Sequence, residues 1–133
     1  MKTKIFLILT IVMFILSLSA CTTQSNTQEN ITGDTVATVS EDGYQDITLS
    51  YGKSGRFYNY ILTPSTVQTG IPVRVTGDIS TLNGCYRTVV IQEYDIREYL
   101  SDFDNTFEFT PQETGDFVVS CSMGMATTTL HVI

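Results

Sequence analysis

Histidine is nearly absent from this chain: His131 is the single one among 133 residues. Cysteine and methionine are sparse, at three and four. Lysine and arginine total seven against fourteen acidic residues, for a formal charge of −7. Each shortage excludes something. One histidine cannot supply a metal site built from several imidazoles. The acidic balance argues against nucleic acid as a partner and against direct docking on anionic lipid. The longest apolar run, Ile5 to Leu16, falls short of the roughly 20 residues a membrane-spanning helix needs. No Ser-His-Asp arrangement, phosphate-binding Walker loop or glycosidase-like carboxylate pair stands out, so nothing points to catalysis and the chain reads as a non-enzyme.

What is present begins with a leader. Lys2 and Lys4 precede the apolar run, and small residues follow it, which are the parts of a secretory signal. Leu18-Ser-Ala-Cys21 resembles the lipobox of bacterial lipoproteins. That resemblance implies that residues 1–20 are a signal peptide and that the Cys21 thiol receives a diacylglycerol. Two or more acyl chains anchor stably where one binds only marginally. The expected location is therefore the outer face of the bacterial cytoplasmic membrane, held by a lipid anchor. The plainer alternative is an ordinary signal peptide with an incidental cysteine. Without residues 1–20 the balance is five basic against fourteen acidic side chains, or −9.

Thr22 to about Asp42 is rich in Thr, Gln, Ser, Asn, Glu and Asp. Such composition buries too little apolar surface to order itself, so residues 21–43 read as the lipidated cysteine and a flexible linker. Residues 44–133 read as one domain. Asp46 to Tyr51 alternates apolar and polar, the period of a half-buried strand. Gly52 to Gly55 reads as a turn, and Phe57 to Leu62 as a second strand ended by Pro64. Further β-forming runs occupy Val73 to Thr76, Tyr86 to Gln92, Asn105 to Thr110, Phe117 to Ser120 and Ala126 to Ile133. Asp95 to Leu100 reads as one helical turn or an irregular crossover. Seven to nine short strands with regular turn signals and no good amphipathic helix indicate an all-β sandwich.

The sulfur is concentrated. Met1 and Met13 fall in the leader, so the domain's sulfur belongs to Cys85 and to Cys121-Ser-Met-Gly-Met125. Thiolates and thioethers are soft donors that select Cu(I), whereas zinc takes four ligands from cysteine, histidine and carboxylate. Cys121, Met123 and Met125 stand at i, i+2 and i+4, and in extended chain alternate side chains share a face. Gly124 permits a tight bend or a left-handed residue that could fold both methionines back over the cysteine. With Cys85, two thiolates and two thioethers could hold one Cu(I) or two close together. The competing reading is a Cys85–Cys121 disulfide, which would stabilise an exported domain by about 3–4 kcal/mol, with the methionines as adaptable filling. On that reading the chain is a disulfide-stapled surface lipoprotein with a structural or interaction role and no metal. His131, between Leu130 and Val132, reads as a structural strand residue, and Asp102 and Asp104 read as a solvated turn lacking the glycine and terminal glutamate of a calcium loop.

Gly84-Cys85, Val89-Val-Ile91, Phe107-Glu-Phe-Thr-Pro111, Thr114-Gly-Asp-Phe117 and Cys121-Ser-Met-Gly-Met125 together resemble cupredoxin-like copper-resistance domains. Nearest in kind is the soluble domain of CupA-type membrane-anchored Cu(I) chaperones, a relative of which is fused to copper-exporting P-type ATPases. The resemblance, over roughly Tyr60 to Ile133, implies a cupredoxin-like Greek-key β-sandwich that binds Cu(I) outside the membrane and passes it to such an exporter. It implies Cys85 and Cys121 as thiolate ligands and Met123 and Met125 as thioether ligands. Electron-transfer cupredoxins use two histidines, a cysteine and a weak axial methionine; this chain has Gly-Cys at the first histidine position and no histidine in the Cys121 loop, which disfavours redox work. It also departs from the CupA type, held by a transmembrane helix, in appearing lipid-anchored.

Overall fold

A computed structural model describes residues 35–133. The leader, Cys21 and the first part of the expected linker lie outside the described residues. Nine strands form two facing sheets of an all-β sandwich, as the strand spacing indicates. β1 (Gln45–Ser54), β2 (Phe57–Thr63), β4 (Val73–Gly77) and β7 (Thr106–Phe109) make one sheet in the order β2-β1-β4-β7. β3 (Thr66–Val67), β5 (Thr88–Ile91), β6 (Ile96–Tyr99), β8 (Gly115–Cys121) and β9 (Thr127–Val132) make the other, in the order β3-β9-β8-β5-β6. Both sheets are mixed: β1–β4 and β3–β9 run parallel and the remaining pairs antiparallel. Among the described residues no helix is long and apolar enough to cross a membrane.

Period-two burial builds the core. In β1 Gln45, Ile47 and Leu49 turn inward, and in β4 Val73, Val75 and Gly77 do so. They meet Val89 and Ile91 of β5, Val119 and Cys121 of β8, and Leu130 and Val132 of β9. Gln45 is buried because its amide is fully used, donating to the carbonyls of Gln68 and Ile71 and accepting from the Gln68 amide. Gly77 is a close-approach glycine: a Cβ there would lie 2.5 Å from Leu100 Cδ1 and 3.1 Å from Leu82 Cδ1.

Three expectations need correction. Asp95 to Leu100 is neither a helical turn nor a crossover. Gln92–Tyr94 makes a 3-10 turn, Asp95 takes a left-handed conformation (φ 52°), and Ile96–Tyr99 returns along β5 as β6. The reversal at a non-glycine residue hid the hairpin. The turn expected over Gly52 to Gly55 is tighter, because β1 runs on to Ser54, which pairs with Phe57. Packing also begins before Tyr44. Ala37 is buried in the core and donates its amide to the Thr66 carbonyl, and Val36 bridges to Thr66. One small apolar side chain among polar neighbours suffices to attach this segment, and composition averages conceal it.

Candidate metal centre

The topology explains why two cysteines distant in sequence meet. β5 lies antiparallel to β8, and Val89, near the start of β5, is paired with Cys121 at the end of β8. Cys85 sits in a 3-10 turn, Gly84–Arg87, that leads directly into β5. Gly84 enters that turn at φ +58°, a conformation costly for any other residue. The antiparallel register therefore delivers the Cys85 turn to the mouth of the Cys121 loop. Both thiols are free, and they are close enough for each to shift the other's titration.

The two sulfurs differ. Cys121 is 2% exposed. Burial pushes its thiol up, but the backbone amides of Ala126, Met123 and Met125 point at the sulfur, with Cys85 adding a further contact, and together they hold it below the ordinary cysteine range. The Ala126 amide is 3.4 Å from Sγ. Gly124 makes this cradle: at φ +68° it reverses the chain, so that its amide donates to the Cys121 carbonyl at 2.9 Å while the Cys121 amide donates to the Ala126 carbonyl. Gly124 is left-handed as expected, yet it folds backbone amides over the sulfur rather than the thioethers. Met123 and Met125 project outward, 68% and 57% exposed. Cys85 is half-buried; partial burial pushes its thiol up and the neighbouring Cys121 adds to the effect.

The four residues thus form a graded set, with one deep sulfur in an amide cradle, one beside it, and two thioethers at the rim. Hydrogen bonds to a charged form favour it, so the cradle suits a thiolate. Among the described residues no three His, Cys, Asp or Glu side chains converge. His131 is elsewhere. It faces Asp116 in the β8–β9 register, with Nδ1 2.6 Å from Asp116 Oδ1. Asp116 is separated from Cys121 by five residues of strand, about 17 Å. Asp102 is engaged by Arg87, whose Nη1 and Nη2 lie 3.2 and 3.1 Å from the carboxylate and hold it below the usual carboxylate range.

Sequence reasoning missed the surroundings of the thiols. Tyr60 and Tyr86 lie near them: Tyr60 meets Tyr86 edge-on at 6.4 Å between centroids, and Tyr51 stacks on Tyr86 from the other side of the pair at 4.0 Å. Asn59 Oδ1 accepts the Thr127 amide at 2.6 Å, tying β2 to the end of the sulfur loop. The adjacency of Tyr86 to Cys85 was the one available signal.

No family model and no curated protein matches the chain. Solved structures do. The chain is similar to the metal-binding domain of the Cu(I)-exporting P-type ATPase CopA of Streptococcus pneumoniae D39, crystallised with Cu(I). The identity is 29% and the TM-score 0.58, covering 77% of this chain and 98% of that one. It is also similar to a copper binding protein whose solution structure is of the apo form, at 22% identity and TM-score 0.58, covering 76% and 98%. The second likeness carries the fold alone.

Proposed function

We propose that this chain is a Cu(I)-binding protein of the cupredoxin-like, CupA-related kind, a lipoprotein that buffers copper at the outer face of the cytoplasmic membrane and hands it on. The observation that carries the reading is the proximity of two free thiols, one in an amide cradle, in a loop that also carries two exposed thioethers. Soft donors of this kind select Cu(I). The 29% identity to the CopA metal-binding domain, which was solved with Cu(I), supports it.

The mechanism is ligand exchange. Met123 and Met125, accessible and without a proton to lose, meet incoming Cu(I). Cys121 and Cys85 then hold it as thiolates, which requires loss of their protons. An acceptor reverses the order, displacing one sulfur at a time from the rim. A copper-exporting P-type ATPase is the proposed acceptor, Cys21 the proposed lipid attachment point, and no enzymatic role is assigned.

The test is titration of the reduced chain with Cu(I) against a competing chelator. Tight, saturable binding with stoichiometry of one or two is expected. The contact between the thiols also suits a disulfide. If free-thiol counting on protein made without reductant finds a complete Cys85–Cys121 bridge, and the reduced form does not compete for Cu(I), the stapled-sandwich reading replaces this one.

A further inference from the structure

The 3-10 turn that carries Cys85 has no buried side chain of its own. Its internal hydrogen bonds are few: the Tyr86 amide to the Asn83 carbonyl at 3.2 Å and the Thr88 amide to the Cys85 carbonyl. A turn so lightly anchored would not by itself keep a sulfur at a fixed separation from a partner on another strand. Anchors from outside are therefore needed, and two are present, both on the C-terminal side of Cys85. On the C-terminal flank Arg87 donates through Nε to the Leu82 carbonyl at 3.0 Å and pairs with Asp102. Closer to the sulfur the anchor is Tyr60, a residue of the opposite sheet.

Tyr60 is 2% exposed, and its Oη donates to the Tyr86 carbonyl at 2.6 Å. That carbonyl belongs to the residue next to Cys85. An un-ionised phenol is a donor at any physiological pH. Tyr51 reinforces the same point from outside, stacking on the Tyr86 ring and donating from its Oη to Tyr86 Oη at 3.2 Å. Tyr60 and Tyr51 face each other in the β1–β2 register. One sheet thus holds the turn that carries Cys85, while the other sheet carries Cys121.

From this geometry we infer that Tyr60, with Tyr51 in support, is a positioning residue that sets the distance of Cys85 from Cys121 by fixing the Gly84–Arg87 turn. The inference rests on the proposed role of the two cysteines as Cu(I) ligands. It goes beyond that role in assigning the preorganisation of the pair to a phenol–carbonyl bond between the sheets. Preorganised ligands bind more tightly because less ordering remains to be done on binding. Loss of an outer-shell partner of a metal ligand costs roughly 10–100-fold in affinity.

The test is Tyr60→Phe in the full chain, which keeps the ring and removes the bond. Three readouts are taken: Cu(I) competition, the alkylation rate of Cys85 in the metal-free protein followed by mass spectrometry, and the thermal midpoint. Roughly tenfold weaker Cu(I) binding at unchanged stoichiometry is expected, with faster alkylation of Cys85 in the metal-free chain. Parental affinity and alkylation in a folded Tyr60→Phe chain would overturn the inference. So would equal loss in Tyr94→Phe, whose hydroxyl lies outside the site. Tyr51→Leu, at a partly exposed position, is the second variant should Tyr60→Phe not fold, and the same shifts, smaller, are expected. A parent that binds no Cu(I) counts against the proposed function alone, because the alkylation rates still decide whether Tyr60 fixes the turn.

Discussion

Two aromatic clusters flank the short strand β5 and use tyrosine in opposite ways. Before β5, Tyr51, Tyr60 and Tyr86 form a cluster whose hydroxyls are paired, one of them on the backbone beside Cys85. After β5, Tyr94 packs between Phe109 and Phe117, with centroids 5.2 and 4.9 Å away, and its buried hydroxyl has no hydrogen-bond partner among the described residues. In the first cluster the polar tips are used, one of them as the proposed anchor of the Cys85 turn. In the second the ring fills space and the tip is a liability, because a buried polar group without a partner forfeits its hydration. The same residue type, at either end of one strand, is framework in one place and plug in the other.

Substitutions sharpen this contrast. The largest effect belongs to Cys121→Ser, which removes the cradled sulfur. Cu(I) affinity in chelator competition is expected to fall by more than the roughly 100-fold upper cost of losing an outer-shell partner, with a far smaller shift in thermal midpoint. Retained affinity would break the assignment of the sulfur end as the binding end. Tyr94→Phe is the mirror experiment. Removing the orphan hydroxyl is expected to raise stability by about 1 kcal/mol in denaturant unfolding, leaving copper affinity alone; a clear loss of stability would mean that the hydroxyl has a use.

The smallest effect is in acid. Arg87 holds Asp102 below the usual carboxylate range, so their pairing contributes fully above the unfolded carboxylate value of 3.8 and is lost as pH falls through the depressed folded value. The outer anchor of the Cys85 turn should therefore loosen only below about pH 4. Asp102→Asn is expected to flatten this acid-limb fall in thermal midpoint, and an unchanged limb would remove Asp102 from the account.

The sandwich was legible because strand alternation is local: Ile47 and Leu49, or Phe107 and Phe109, declare their period within a few residues. The hairpin at Asp95 was not, since a left-handed aspartate looks like any other polar residue. The sulfur inventory could be read directly, but its grading could not. Spacing at i, i+2 and i+4 suggested three sulfurs sharing a face, whereas the loop reversal at Gly124 turns amides inward and leaves Met123 and Met125 outward. The Tyr60–Tyr86 bond spans 26 residues and two sheets, a distance no local pattern reports. Ala37 escaped notice because one small side chain in a polar stretch carries no periodic signal.

The proposed copper site is made of sulfur alone, at the Cys85–Cys121 end. Copper K-edge X-ray absorption on the reduced, Cu(I)-loaded chain tests it most directly. A Cu(I) edge with a nearest shell of sulfur only is expected, from the thiolates of Cys85 and Cys121 and the thioethers of Met123 and Met125. A nearest shell containing nitrogen or oxygen, or an edge unchanged when both cysteines are replaced by serine, would contradict it.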